Sequence, residues 1–293
     1  MKIFWKLMTL VGGAIVCLVV AFCLVGYFIF TDFGNTTSAK QLNIAAQTMQ
    51  KEIDDGLELQ QTLSNAISID NSLSRAVALV DLRELKESAD SLMKSASVDQ
   101  VTIVDATGKV LIRGHSDLRD DVLSPTRQAV SVPLNQGRAI SGLEPGKLIR
   151  LSIASGTPVF HEGKVVGAVI IGTDLASGKF VDELKKVLDV ECTVFLDDVR
   201  ISTTVLREGK PVIDTPLGND SIYDKVIRKG ETTVTRNNIA GKTYDTIYWP
   251  WQDMTGKRAG MFFVGLDREN IEPPSNASFF SSWALACCWP LSF

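Results

Sequence analysis

Arg113 and His115 stand two residues apart at the end of "KVLIRGH", and Arg150 and Ser152 repeat that spacing in "LIRLSIA". Residues two apart on an extended strand point to one face, so each segment sets a cation beside a second polar group. If the two strands face a common cavity, two guanidiniums and an imidazole suit a carboxylate, which arginine holds through paired N–H donors. A carboxylate held partly by imidazolium would bind less well at about pH 8 than at about pH 6. The bland alternative is that Arg113 or Arg150 covers a sheet edge and pairs with Asp117, Asp120 or Asp121. A second, weaker cluster is Arg200 with Ser202, Thr203 and Thr204, walled by Tyr244, Tyr248 and Trp249; Arg200, Thr203 and Tyr248 are its candidate binding residues. Threonine is ordinary strand composition, however, and aromatics beside Pro250 also suit a core. His161, at a hairpin tip, is expected to be solvated.

Other chemistry finds little support. A net charge of -4, with no cluster of Lys and Arg interleaved with aromatics, excludes an electrostatic footprint for nucleic acid. With 2 histidines and no zinc-type Cys/His spacing, no metal and no cofactor is expected. No nucleophile with its base and no motif of paired carboxylates stands out, so the chain reads as a non-enzyme. "HSD" at 115–117 is a poor triad, because adjacent residues rarely converge on one point. Cys17 and Cys23 lie in one apolar run and Cys287 and Cys288 in another, leaving Cys192 without an intrachain disulfide partner.

The elements that would position these residues emerge from patterning. Residues 7–30 carry no charge and, as a helix at ~1.5 Å per residue, span a ~30 Å hydrocarbon core, which predicts a transmembrane helix. A cleaved signal peptide is the alternative, but no A-x-A-like site comes after the run. Lys2 and Lys6 place residues 1–6 in the cytoplasm and residue 31 onward outside. Residues 31–97 are poor in Gly and Pro, with apolar positions such as Ile53, Leu57, Leu73, Val77 and Leu85 mostly at helical spacing. They read as a long amphipathic helical stalk, with a break at Asp70, Asn71 and Ser72. From Val98 short β-branched runs alternate with turns, giving antiparallel sheets. "GKVVGAVIIGTD" at 163–174 recurs as "GKRAGMFFVGLD" at 256–267, which divides the rest into tandem modules, 98–190 and 191–272, each closed by the same hairpin. The class is α+β. A core of 45% hydrophobic residues, not a disulfide, has to stabilise it.

Several phrases together carry a resemblance: "GKVLIRGHSD", "GTPVFHEGKVVGAVIIGTDL", "TVFLDDVRISTTV" and "GKTYDTIYWPWQDMTGKRAGMFFVGLDR". Over residues 35–270 the chain resembles the double Cache sensor region of bacterial methyl-accepting chemotaxis receptors, with PAS-like modules. That resemblance implies a membrane-distal and a membrane-proximal module outside the cytoplasm of a bacterial inner-membrane protein. It also implies a small-molecule ligand, an organic acid being favoured, and a homodimer through the long helix. "R-x-H" in the first module is similar to the ligand phrase of citrate and dicarboxylate sensor kinases. Ser155 stands where those sensors carry a further basic residue, which favours a mono- or dicarboxylate over a tricarboxylate. The sensor half of a histidine kinase or diguanylate cyclase is the alternative. A receptor continues into a second membrane helix, a HAMP linker and a helical hairpin; here residues 277–293 form at most a partial second span. The expectation is a truncated or frameshifted frame lacking its output half, or else a sensor-only membrane protein. An export-dependent reporter fused after residue 120 is expected to be active, and activity only of a cytoplasmic reporter there would overturn the topology.

Overall fold

A computed structural model describes the backbone of residues 2–268, and the side chains of these except 2–11, 16 and 26–35. The apolar tail 277–293 lies outside the described residues. Helix α1 runs Lys2–Ser68 and contains the apolar run 7–30, part of which lies outside the residues with described side chains. Among the described residues no helix is long and apolar enough to cross a membrane.

The stalk expected over 31–97 is three helices. Asp70 ends the first by capping the next, accepting from the backbone N–H of Ser72 at 2.9 Å and Leu73 at 3.1 Å. Helix α2 spans Asn71–Leu79 and α3 spans Leu82–Ala96. A second break, unforeseen, comes where Val80 turns left-handed and Asp81 caps α3 through Arg83 and Glu84. The amphipathic pattern continues because α2 and α3 both bury one stripe, Leu73, Ala76, Val77, Leu85 and Ala89, against the first sheet.

That sheet contains β1 (Gln100–Asp105), β2 (Val110–Arg113), β3 (Ile140–Pro145), β4 (Leu151–His161) and β5 (Lys164–Asp174), with α4 (Gln128–Gln136) inserted after β2. Helix α5 (Lys179–Leu188) leads to a second sheet of β6 (Glu191–Leu196), β7 (Val199–Thr203), β10 (Thr233–Ile239), β11 (Lys242–Gln252) and β12 (Arg258–Asp267). Between β7 and β10 lie a short hairpin of β8 (Leu206–Arg207) and β9 (Lys210–Pro211), then α6 (Asp220–Tyr223) with a π-helical continuation, Asp224–Lys229. The orders are β2-β1-β5-β4-β3 and β7-β6-β12-β11-β10, the same antiparallel topology twice. The repeated phrase is last in chain order, yet the strand it forms, β5 or β12, is central in each sheet, which is why it is nearly all apolar.

Register shows what the repeat conserves. Asp105 pairs with Gly167 and Leu196 with Gly260, so the two glycines occupy equivalent places. A Cβ on Gly167 would lie 2.2 Å from the Val104 carbonyl oxygen, and one on Gly260 would lie 2.2 Å from that of Phe195. Only glycine lets the central strands approach so closely. Replacing either glycine with Ala is expected to destabilise the fold by ~1–3 kcal/mol or more, read as a lower melting temperature. Gly163, with φ +76° and nothing within 4 Å, is the control, and Gly163→Asn, a residue that tolerates the left-handed region, should lose clearly less melting temperature than either alanine variant. Alanine variants as stable as wild type would refute the close approach.

Candidate functional site

The larger cavity of the first module, ≈ 580 Å³, lies on the face of its sheet away from α2 and α3. Val101 and Ile103 point into the core against those helices, so Gln100 and Thr102 alternate to the other face and line the cavity. Thr102 pairs with Arg113 across β1 and β2, and Arg113 and His115 line the same cavity. Paired two-residue spacing on two strands is therefore present, but the partner strand is β1, not β4. "QVTIV" carried the signal: polar residues at alternate positions of an otherwise apolar strand.

Arg113 is 7% exposed. Its guanidinium donates to Asp121 through both Nη atoms, at 2.7 Å and 2.8 Å, and to the Leu118 carbonyl at 2.6 Å. It thereby pins the loop after β2 along the sheet edge, and it holds the Asp121 carboxyl below its ordinary value by that hydrogen bond. The bland alternative for Arg113 is the geometry found, with Asp121 as the partner. Arg127, also at the cavity, donates through Nε to Glu144 at 3.1 Å. Buried Glu144 on β3 also accepts from the Ala129 N–H at 3.1 Å, so it caps the start of α4 while neutralising Arg127.

His115 is half-buried, and its Nδ1 lies 3.1 Å from the Val101 carbonyl. Because a carbonyl only accepts, Nδ1 carries the hydrogen and Nε2 is left as an acceptor. Burial first, and the charges of Arg113 and Arg127 after the opposing Val101 bond, lower its pKa. The imidazolium expected here is disfavoured.

Arg150 and Ser152 do not join this site. β4 begins at Leu151, so Arg150 precedes the strand, and its exposed guanidinium pairs with Asp214 of the second module. Ser152 is buried at 2% exposure, with the backbone of Glu144 at 3.5 Å, and does not line the cavity. Ser155 faces α1, sharing a hydrogen bond with Ser64 and accepting from Ser141 at 2.9 Å.

In the second module Arg200 and Tyr248 line a cavity of ≈ 400 Å³, whereas Thr203 does not. Phe195 pairs with Arg200 and Val194 with Ser202, so β7 has one extra residue, Ile201, and this bulge puts Arg200 and Thr203 on one face without bringing Thr203 to the cavity. Thr203 bonds Thr193 at 2.7 Å and accepts from the Val205 N–H at 3.2 Å. Thr204 accepts from the Cys192 N–H at 2.9 Å, and the buried Ser202 hydroxyl has no partner among the described residues. Trp249 faces α1, donating to Gln50 at 3.0 Å, and Tyr244 does not line the cavity, so of the expected aromatic wall only Tyr248 remains. Burial pushes the Cys192 thiol up to about 12, consistent with an inert core residue.

Residues 175–277 match the family described as Single cache domain 3. The fold is PAS-like, of the Cache kind. No curated protein sequence matches the chain. Among solved structures, it is similar to the ligand-binding domain of the Campylobacter jejuni chemoreceptor Tlp3 in complex with 4-methylisoleucine, at TM-score 0.53 and 12% identity, covering 84% of this chain and 95% of that one. It is also similar to the extracellular domain of the putative histidine kinase vpHK1S-Z8, at TM-score 0.57 and 14% identity, covering 81% and 94%. A domain of a putative sensory box/GGDEF family protein from Vibrio parahaemolyticus matches at TM-score 0.55 and 13% identity, covering 81% and 98%. The Cache family match lies on the second sheet, while the structural similarity extends over both.

The lowered pKa of His115 has a consequence for stability. A base whose pKa is depressed by folding stabilises the native state fully above its unfolded value, near 6.5, and that contribution is lost as pH falls through the folded value. Wild type is thus expected to lose more melting temperature between about pH 7 and about pH 5 than His115→Gln, whose side chain does not titrate. Equal losses would show that His115 is not held neutral.

Proposed function

We propose that the chain is the extracytoplasmic ligand-binding sensor of a transmembrane signalling protein of chemoreceptor type, with a double Cache arrangement. The observation that carries this is the ≈ 580 Å³ cavity, into which Gln100, Thr102, Arg113 and His115 project from adjacent strands. The twofold recurrence of one five-stranded topology supports the double arrangement. Large apolar side chains exposed on α1 between Ile15 and Val25, with Leu18 71% and Phe22 81% exposed, support a membrane span there. We read the chain as a non-enzyme that dimerises through α1, with the sensor in the periplasm or outside the cell. A histidine kinase or diguanylate cyclase sensor is a second reading, favoured by the similarity to vpHK1S-Z8 and the GGDEF protein domain.

The ligand class comes from charge. Arg113 and Arg127 already face carboxylates, so an anion alone would compete with Asp121 or Glu144. A ligand with both charges disturbs this balance least. Its ammonium group fits the half-exposed Asp121 and the acceptor Nε2 of His115, and its carboxylate fits the two cations of the cavity wall that no buried carboxylate holds, Arg119 and Lys147. We therefore assign a small amino acid, a narrower class than the organic acids suggested by sequence; the similar Tlp3 domain carries 4-methylisoleucine, isoleucine or L-valine.

The test is a thermal-shift screen and calorimetry on the detergent-purified chain, using neutral amino acids, the corresponding amines and the corresponding carboxylic acids. Amino acids are expected to bind, with Asp121→Asn and Arg113→Ala each weakening binding at least tenfold. Equal binding of the amines or acids would overturn the ligand class, and the absence of any binding would overturn the sensor assignment.

A further inference from the structure

The cavity of the second module differs from the first in having no carboxylate in its wall. Arg200 and Arg207 line it, and no Asp or Glu does. Arg200 is 7% exposed, and its Nη1 donates to the Thr215 hydroxyl at 3.1 Å and to the Pro216 carbonyl. Its guanidinium lies over the Phe195 ring, 5.1 Å from the centroid. Among the described residues neither its Nε nor its Nη2 has an acceptor, and no carboxylate pairs with it. Of the acids nearby, Asp214 is engaged by Arg150 and Asp197 accepts from Tyr223 at 2.6 Å, while Asp198 and Asp220 line a neighbouring cavity that shares Pro216–Asn219 with this one. A buried cation without a counter-charge is costly, and burial accordingly lowers the Arg200 pKa. Tyr248, 1% exposed, accepts from Asn237 Nδ2 at 3.2 Å and its hydroxyl also meets the Thr246 side chain, so an acceptor in the cavity would compete with Thr246 for its hydrogen. Val212, Leu217, Ile222 and Ile239 supply apolar wall beside these donors.

The site is not a copy of the first. Register makes Val104 equivalent to Phe195, so Arg200, which pairs with Phe195, stands where Val110 pairs with Val104. Thr203, paired with Thr193, stands in the place of Arg113, paired with Thr102.

We propose that the second module binds a short aliphatic monocarboxylate, its carboxylate held by Arg200 and the Tyr248 hydroxyl and its alkyl chain against Val212, Leu217, Ile222 and Ile239. This inference rests on residues separate from those of the first cavity, so the two sites succeed or fail independently.

The experiment is calorimetry on the detergent-purified chain with acetate, butyrate and hexanoate, and with butyramide and butylammonium as neutral and cationic counterparts. At least one carboxylate is expected to bind while butyramide and butylammonium do not. Arg200→Met should weaken that binding at least tenfold, and Tyr248→Phe, which keeps the ring and removes the donor, severalfold. Should Arg200→Met fail to fold, Tyr248→Phe decides. The proposal is overturned if none of the three carboxylates binds, if butyramide binds as well, if neither variant weakens binding, or if Arg113→Met abolishes binding that Arg200→Met leaves intact.

Discussion

Met49 and Ile53 of α1, 0% and 1% exposed, belong to one apolar cluster with Leu151 and Ile153 of the first sheet and Val194 and Phe262 of the second. Burying each such side chain contributes ~1.5–3 kcal/mol, and Leu42, Ala45, Met49 and Ile53 continue the stripe at steps of three and four. The direct links between the modules are weaker. The Arg150–Asp214 pair has side chains 39% and 70% exposed, so screening leaves it ~0–1 kcal/mol. A parallel bridge, Leu143 with Asp253, and the half-buried Met254 packed against the cluster of Val104, Ala129 and Ala168 add to this among the described residues. Both sheets are thus positioned chiefly by their shared grip on one helix, and Gln60 donating to Thr173 at 3.2 Å extends that grip along the first.

This places the cavities and the helix on opposite sides of each sheet. In the first module Thr102 faces the cavity while its neighbours Val101 and Ile103 pack with Ile67 of α1 and with α2 and α3. In the second, Phe195 and Tyr248 back the cavity, while Val194 and Trp249 face α1. A ligand in either cavity would therefore reach the helix only through one layer of close-packed strand, in which small shifts are transmitted because the interior has few voids. It would bias the helix only by as much as its affinity differed between two helix positions.

Legibility in the sequence depended on how local each cause was. Arg113 and His115 were readable because β2 runs straight into them, and Gly167 and Gly260 because a steric demand repeats as a phrase. β3, with Gly142 and Pro145, and α4, with Pro133 inside it, have compositions that mask their type, and tertiary packing decides them. Arg150 failed because a strand start one residue later removes it from the face that Ser152 was thought to share. Asp121 had appeared as one of three candidate partners, and only the fold of the loop after β2 selects it. The bulge at Ile201 left no mark in "RISTTV", so Thr203 took its place on the face of Arg200 without reaching the cavity.

That bulge also bears on how the tandem modules divide their work. Both sheets have a register shift between the first two strands of the module, at Ile103/Val104 and at Val194/Phe195. Backbone geometry is therefore shared, while the side chains on it are not: Arg113 with a carboxylate partner in one module, Thr203 in the same place in the other, with the cation moved to Arg200. Two cavities on one backbone plan are both lined by cations, but only the first has a carboxylate, Asp121, in its wall. Because α1 packs against both sheets, ligands of the two cavities that each distinguished the same two positions of α1 would change one another's affinity by a reciprocal factor. The shared helix, not the weak contacts between modules, is what would make two chemically distinct sites answer as one.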